Sequence, residues 1–186
     1  MSNAFTLLGL PRAAALDSDA LQKAWLAASR AAHPDQPGGD AARAAEINTA
    51  YETLQTPEKR LKHLLELHQV PWRSVPIDDA MMHLFSQLGT TLQDAAAFLT
   101  RRQSATSALA RALLAPEEMR LREQLEEIGS RLDEQRGGLI SSLAGLDTRL
   151  DSAEATALDD LQCLQARLAY LGKWQAQVRE MLLRLM

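Results

Sequence analysis

A single cysteine, Cys163, occurs in 186 residues. An internal disulfide is therefore excluded, and so is a zinc site built on several thiolates. Aromatic residues make up only 4% of the chain, and the β-branched residues that favour strands are scarce beside alanine and leucine. No run of about 18 apolar residues occurs, so no helix is expected to span a membrane. The N-terminus lacks a basic flank followed by an apolar core, which speaks against a signal peptide and makes the cytoplasm the expected compartment. Basic excess is missing too. The formal net charge is −4, and residues 1–72 hold seven Lys/Arg against eight Asp/Glu. Nucleic acid is therefore not an expected partner. No cofactor or metal site is expected.

What the chain does hold is material for helices. Hydrophobic residues make up 46%, enough for a real core, and alanine and leucine are strong helix formers. The fold expected is all-α. Phe5 to Leu10, ended by Pro11, reads as a brief first helix. Asp17, Ser18 and Asp19 offer N-caps for a second, whose apolar face carries Leu21, Trp25 and Ala28. Asp40 can cap a third, burying Ile47, Ala50, Tyr51 and Leu54, and Thr56-Pro57 opens a fourth through Leu61, Leu64, Leu65 and Leu67. Pro71 and Pro76 bracket an aperiodic linker, 71–76. Helical periodicity resumes at Asp78, breaks weakly near 100–104, and returns as a short helix over 107–114. Pro116, Glu117 and Glu118 are expected to open a long helix that Gly137-Gly138 kinks or ends. Leu158, Leu161, Leu164, Leu168, Leu171, Trp174, Val178, Met181 and Leu185 alternate steps of three and four, the pattern of a bundle helix. Cys163 lies on this stretch and reads as a buried structural thiol.

Between the second and third helices stands His33-Pro34-Asp35-Gln36-Pro37-Gly38-Gly39. Two prolines and a glycine pair make this a loop. Pro34 fixes one backbone torsion, so its two polar neighbours are displayed rigidly. Asp35 offers an acceptor-only carboxylate suited to an arginine fork, and His33 can donate or accept near neutral pH. General acid–base work by this pair would need a pocket, which a loop tip does not supply. The chain is not expected to be an enzyme, and no catalytic residue is assigned.

Leu21 to Asp35, with Trp25, Arg30 and His33-Pro34-Asp35, resembles the second helix and loop of the J-domain family. Glu46 to Arg60, with Tyr51 and Thr56-Pro57, is similar to that family's third helix and the turn after it. Three further blocks resemble the HscB subfamily, the J-proteins that serve iron–sulfur cluster assembly. They are Phe5-Thr-Leu-Leu-Gly-Leu-Pro11, the fourth helix ending in Leu67-His68, and two C-terminal stretches, Met119 to Ile128 and Leu164 to Trp174. The resemblance implies a J-domain over 1–70, a linker over 71–76 and a C-terminal antiparallel helical bundle over 77–186. Within that bundle, 77–115 looks like an inserted helical hairpin and 116–186 like the client-binding helices.

The resemblance also implies a function. The chain would stimulate the ATPase of a DnaK/HscA-class chaperone, docking through His33, Pro34 and Asp35 with Lys23 and Arg30 as the basic residues of the second helix. Gln36 stands where J-proteins usually have a basic residue. The client would be an IscU-like iron–sulfur scaffold protein. Its site would carry over to Met119, Glu123 and Tyr170, expected as one exposed patch with Met119 and Tyr170 within about 15 Å, well inside a standard interface. Arg120 reverses a charge there, and Tyr170 replaces a phenylalanine. Two alternatives stay open at this point: a J-protein with a different client, and a structural helical adaptor with a degenerate J-domain.

Overall fold

The computed structural model describes residues 3–33 and 40–186, and among them holds eight α-helices and no strand. Helix α1 (Ala4–Leu7) is capped by the Asn3 side chain, which accepts from the Phe5 N–H. It stops because Gly9 takes φ +64°, freeing Leu10 N–H to donate to the Phe5 carbonyl and Gly9 N–H to the Thr6 carbonyl. That paired closure needs a left-handed residue at the turn, which glycine adopts without strain. The helix is thus shorter than the apolar run Phe5–Leu10. Gln69 does the same at the end of α4 (Pro57–Leu67) with φ +56°.

Asp17 caps α2 (Ser18–Ala32) by accepting from Asp19 N–H, and Asp40 caps α3 (Ala41–Gln55) by accepting from Ala42 N–H. Both caps satisfy donors that the first helical turn leaves open. Thr56 precedes Pro57 at the start of α4 without a side-chain cap bond. Asp78 caps α5 (Asp79–Ser104) through Met81 N–H at 2.8 Å.

The sequence expectation fails in the following stretch. The short helix over 107–114 and the long helix after Pro116 are one element, α6 (Ala108–Ser141), with Pro116 inside it. Proline removes one donor there, but the next two residues are held from α5, Glu117 by Arg101 at 2.6 Å and Glu118 by Arg102 at 3.4 Å. Gly137 and Gly138 also stay helical, and the chain turns at Ser142, whose hydroxyl donates to the Leu139 carbonyl. The expected hairpin within 77–115 is therefore α5 followed by the beginning of α6. The short α7 (Leu143–Asp151) and the long α8 (Ala157–Leu185) follow.

The chain forms two compact units; the first division falls in the linker, between Val75 and Pro76, and two more follow after Gly138 and Leu168. The first draws its described residues from Met1–Val75 and Leu139–Leu168, the second from Pro76–Gly138 and Ala169–Met186. Residues 139–168 of the expected C-terminal bundle thus group with the first unit. The reason is where α7 and the first part of α8 bury their leucines: Leu143, Leu146, Leu161 and Leu168 join Phe5, Leu8, Leu21, Ile47, Leu54, Leu61 and Leu64 in one core. Trp25 and Tyr51, expected inside that core, are half-buried and pack against it. The second unit buries Met81, Leu84, Leu88 and Phe98 of α5, Leu121, Leu125, Ile128 and Leu132 of α6, and Leu171, Trp174, Val178 and Leu185 of α8. In the second unit α6 and α8 run antiparallel, since Gly129 faces Val178 and Asp133 accepts from Gln175. Cys163 is half-buried rather than sealed in a core. Among the described residues no helix is long and apolar enough to cross a membrane.

Candidate functional site

Helix α2 buries Leu21 and Ala32 and leans Ala24, Trp25 and Ala28 on the core. The opposite side is left to solvent. Lys23, Leu26, Arg30 and His33 are all exposed there, and their spacing of three, four and three places them along one line of the helix. Leu26 is the apolar member of this line, 38% exposed. Sequence reasoning passed it over because it breaks the rule that leucine faces the core. His33 is the C-cap residue of α2. The two helix ends are tied together just there, for Asp40 N–H donates to the carbonyl of buried Ala32 at 3.2 Å. Pro34 and Asp35 lie outside the described residues.

The hairpin below this line is held by side chains as well as by its core. The Trp25 indole stacks on Tyr51 with ring centroids 4.6 Å apart, and its N–H donates to Asn48 Oδ1 at 3.0 Å. An aromatic pair of this geometry adds stability beyond its buried area. It fixes α2 against α3 on the side away from the exposed line.

At the other end of α2 the chain enters through a clamp. Ala14 is fully buried. The Asp147 carboxylate, from α7, accepts from Ala14 N–H at 2.6 Å and from Ala15 N–H at 2.8 Å. Arg60, from α4, donates through Nε to the Ala14 carbonyl at 2.8 Å and through Nη1 to the Leu54 carbonyl at 2.8 Å. Two successive amides facing one carboxylate form a small anion nest. Burial pulls the Arg60 guanidinium below its ordinary value, opposed by the charges of Asp147 and then Glu58. Helix α1 is held by another buried polar group: His63 Nε2 accepts from Ala4 N–H at 3.1 Å while its ring stacks on Phe5. None of Arg60, His63 or Asp147 was legible as a positioning group, because each depends on a partner 46 to 133 residues away.

In the second unit Met119 and Glu123 are exposed on α6, and Tyr170 is exposed on α8. They do not form the compact patch expected. Met119 is fourteen residues from Asp133, which is about 21 Å along a helix. Asp133 is level with Gln175, and Tyr170 lies a further turn away on the antiparallel α8. The separation therefore exceeds about 20 Å. Leu109 and Leu113, earlier on α6, are exposed as well. Tyr170 instead packs near Trp174, which also meets Phe85 of α5 at 5.5 Å between centroids. Among the described residues no cluster of His, Cys, Asp and Glu could hold a metal ion.

Comparison with known proteins follows this division of the chain. The DnaJ domain family matches residues 3–63, from α1 into α4. The co-chaperone protein HscB homolog of Bordetella pertussis is 32% identical over 146 residues, covering 72% of this chain and 83% of that protein. The chain belongs to the HscB co-chaperone family. A shorter match, to the HscB homolog of Chromobacterium violaceum, is 39% identical over 74 residues, 36% of this chain and 42% of that protein. Two solved structures share the fold. HscB from Vibrio cholerae has a TM-score of 0.59 at 22% identity, covering 100% of both chains. Human HscB has a TM-score of 0.61 at 16% identity, covering 97% of this chain and 82% of that one. The chain is thus a J-protein of HscB type, with the α2–loop–α3 hairpin as its J-domain centrepiece.

Proposed function

We propose that this J-protein stimulates the ATPase of a DnaK/HscA-class chaperone and delivers to it a client, an iron–sulfur cluster scaffold protein, in the cytoplasm. The observation that carries the first half is the exposed line Lys23, Leu26, Arg30 and His33 on α2, ending where the backbone bond from Asp40 to Ala32 ties the loop at its base. Two cations beside one apolar residue suit an acidic surface with a small apolar contact, and like rim charges they act mainly on encounter rate. His33, Pro34 and Asp35 are the further residues proposed to contact the chaperone. No group of the chain is assigned a catalytic role; the hydrolysis would belong to the chaperone.

The client half of the reading rests on family membership and on exposed residues of the second unit. Met119 and Glu123 on α6, and Tyr170 on α8, are the positions proposed for client contact. Their separation means that one client surface must reach both ends or use one of them. Single-turnover ATP hydrolysis by purified chaperone, with and without this protein, tests the first half. Absence of stimulation would favour a structural adaptor. Affinity capture from extract followed by titration with the purified scaffold tests the second, and capture of a different client with no scaffold binding would overturn it.

A further inference from the structure

The clamp around Ala14 joins three parts of the sequence that the J-domain family match does not join. That match ends at residue 63, whereas Asp147 comes from α7. Its carboxylate takes both free amides of the Ala14–Ala15 segment. Arg60 takes the carbonyl of the same Ala14, so this peptide is gripped on its donor and acceptor sides. Two residues later Asp17 caps α2. The segment before Asp17 has no regular structure of its own. Its backbone groups would otherwise be unsatisfied inside the protein, since Ala14 is fully buried. Asp147 itself is held in place by its helix, whose Leu143 and Leu146 are buried in the core that also contains Leu21 of α2.

We propose that Asp147 is a positioning residue for the docking helix α2, so that a helix from the C-terminal half of the chain sets the register and direction of the surface presented to the chaperone. The proposal rests on the chaperone-docking reading of α2 given above. Asp147 touches no partner; it acts through the Ala14–Ala15 backbone. Without the carboxylate the amides of buried Ala14 and half-buried Ala15 lose their acceptor, and the entry to α2 loosens while its exposed side chains are unchanged. Lys23, Leu26, Arg30 and His33 would then reach the chaperone from a wider range of orientations. The expected signature is weaker docking with undiminished stimulation at saturation.

The test uses the full chain carrying Asp147→Asn or Asp147→Ala. Asparagine keeps one acceptor oxygen and turns an NH2 group toward the second amide, so it breaks half the nest with little change of volume. Two readouts are taken on folded protein: chaperone ATPase stimulation as a function of co-chaperone concentration, and amide hydrogen exchange at Ala14, Ala15 and the first turn of α2. The expected result is a half-saturating concentration raised roughly tenfold, the worth of about one hydrogen bond to a charged acceptor, with maximal stimulation kept and exchange accelerated locally. If Asp147→Ala does not fold, the asparagine variant carries the same comparison. Unchanged half-saturation in a wild-type chain that does stimulate would overturn the positioning role and leave the docking reading standing. So would a loss that only tracks the fraction folded. If the wild-type chain stimulates no chaperone, the docking reading fails by itself. In that case the proposal falls with it, and the exchange data report only whether the clamp holds α2.

Discussion

The indole N–H of Trp25 donates to the side-chain oxygen of Asn48, 23 residues later, at 3.0 Å. This bond crosses from α2 to α3 beside the stack of Trp25 on Tyr51. Trp25 is half-buried, so its truncation removes an aromatic contact, a hydrogen bond and part of a buried surface. Trp25→Ala should destabilise the protein by about 2–3 kcal/mol, below the usual cost of deleting a fully buried aromatic. Trp25→Phe keeps the stack and loses the bond, at about 1 kcal/mol. Urea unfolding of the two variants checks the order; an alanine variant no weaker than the phenylalanine one would show that the stack contributes nothing.

Chaperone stimulation should depend on charge at the loop and along α2. Asp35→Asn is expected to leave far-ultraviolet circular dichroism unchanged and to abolish stimulation, because removing one member of a desolvated charge pair costs about 2–5 kcal/mol of binding. Lys23→Ala and Arg30→Ala should each slow association and flatten its dependence on salt, as exposed rim charges do. Stopped-flow binding at two ionic strengths reads this. An Asp35→Asn protein that stimulates like wild type would remove the loop from the mechanism.

The core of the first unit makes a demand on the rest of the chain. Leu143, Leu146, Leu161 and Leu168 are buried against the leucines of α1 to α4, and each buried leucine contributes about 1.5–3 kcal/mol. A fragment of residues 1–72 keeps the α2–α3 hairpin but uncovers that face. It should unfold at lower urea than the first unit does within the full chain, by at least about 3 kcal/mol. Exchange-detected unfolding of the fragment and the full chain measures the difference, and equal stability would mean that α7 and α8 merely rest on a self-sufficient domain.

Acid should loosen the α7–α8 turn before it touches the cores. Glu154 is held below its ordinary carboxylate value, first by its hydrogen bond from Arg149. A depressed carboxylate contributes stability above its unfolded pKa and loses that contribution as pH falls through the folded one. The window therefore lies below about pH 4.5. The pair lies at the surface, so the effect is local: titration of the Glu154 side chain by NMR should show a midpoint below that of a random-coil glutamate, and Arg149→Ala should return it to normal. A normal midpoint in the wild type would mean that the pair does not persist in solution.

How much of this could be read from the sequence follows from the range of each interaction. Caps at Asp17 and Asp40 were legible because a cap bonds within three residues. The helical class and the J-domain hairpin were legible because periodicity is local. The fate of Pro116 was not, because the carboxylates after it are gripped by Arg101 and Arg102, sixteen residues back. The membership of α7 in the first unit was not either. Its leucines have the same spacing whether they pack on a bundle of their own or on α1 to α4, and only the partner distinguishes the two. Asp147 looked like one more charge on a helix surface for the same reason.

The client site is where range matters most. Met119 is 65% exposed and Tyr170 40% exposed, so both remain available to a partner, but more than about 20 Å apart by helix geometry. A standard interface of roughly 800 Å² per partner has room for such a span only if it is elongated along the bundle. Two arrangements then predict different mutant behaviour. If one client lies along α6 and α8, Met119→Ala and Tyr170→Ala should each weaken binding, with effects that add, because sites this far apart do not couple. If the client uses one end, a single variant should carry the loss. The Tyr170 end has the better anchor. Trp174 stands beside Tyr170 and on its own account meets Phe85, and aromatic residues dominate binding energy in most interfaces. Tyr170→Ala is therefore expected to cost more than about 2 kcal/mol of scaffold binding by calorimetry, and Met119→Ala less than 1, a value near-neutral contacts typically show. Phe85→Ala should approach the Tyr170 effect if α5 helps to form the surface. Losses at Met119 and Glu123 alone, with Tyr170→Ala neutral, would place the client at the opposite end, where Leu109 and Leu113 are also exposed.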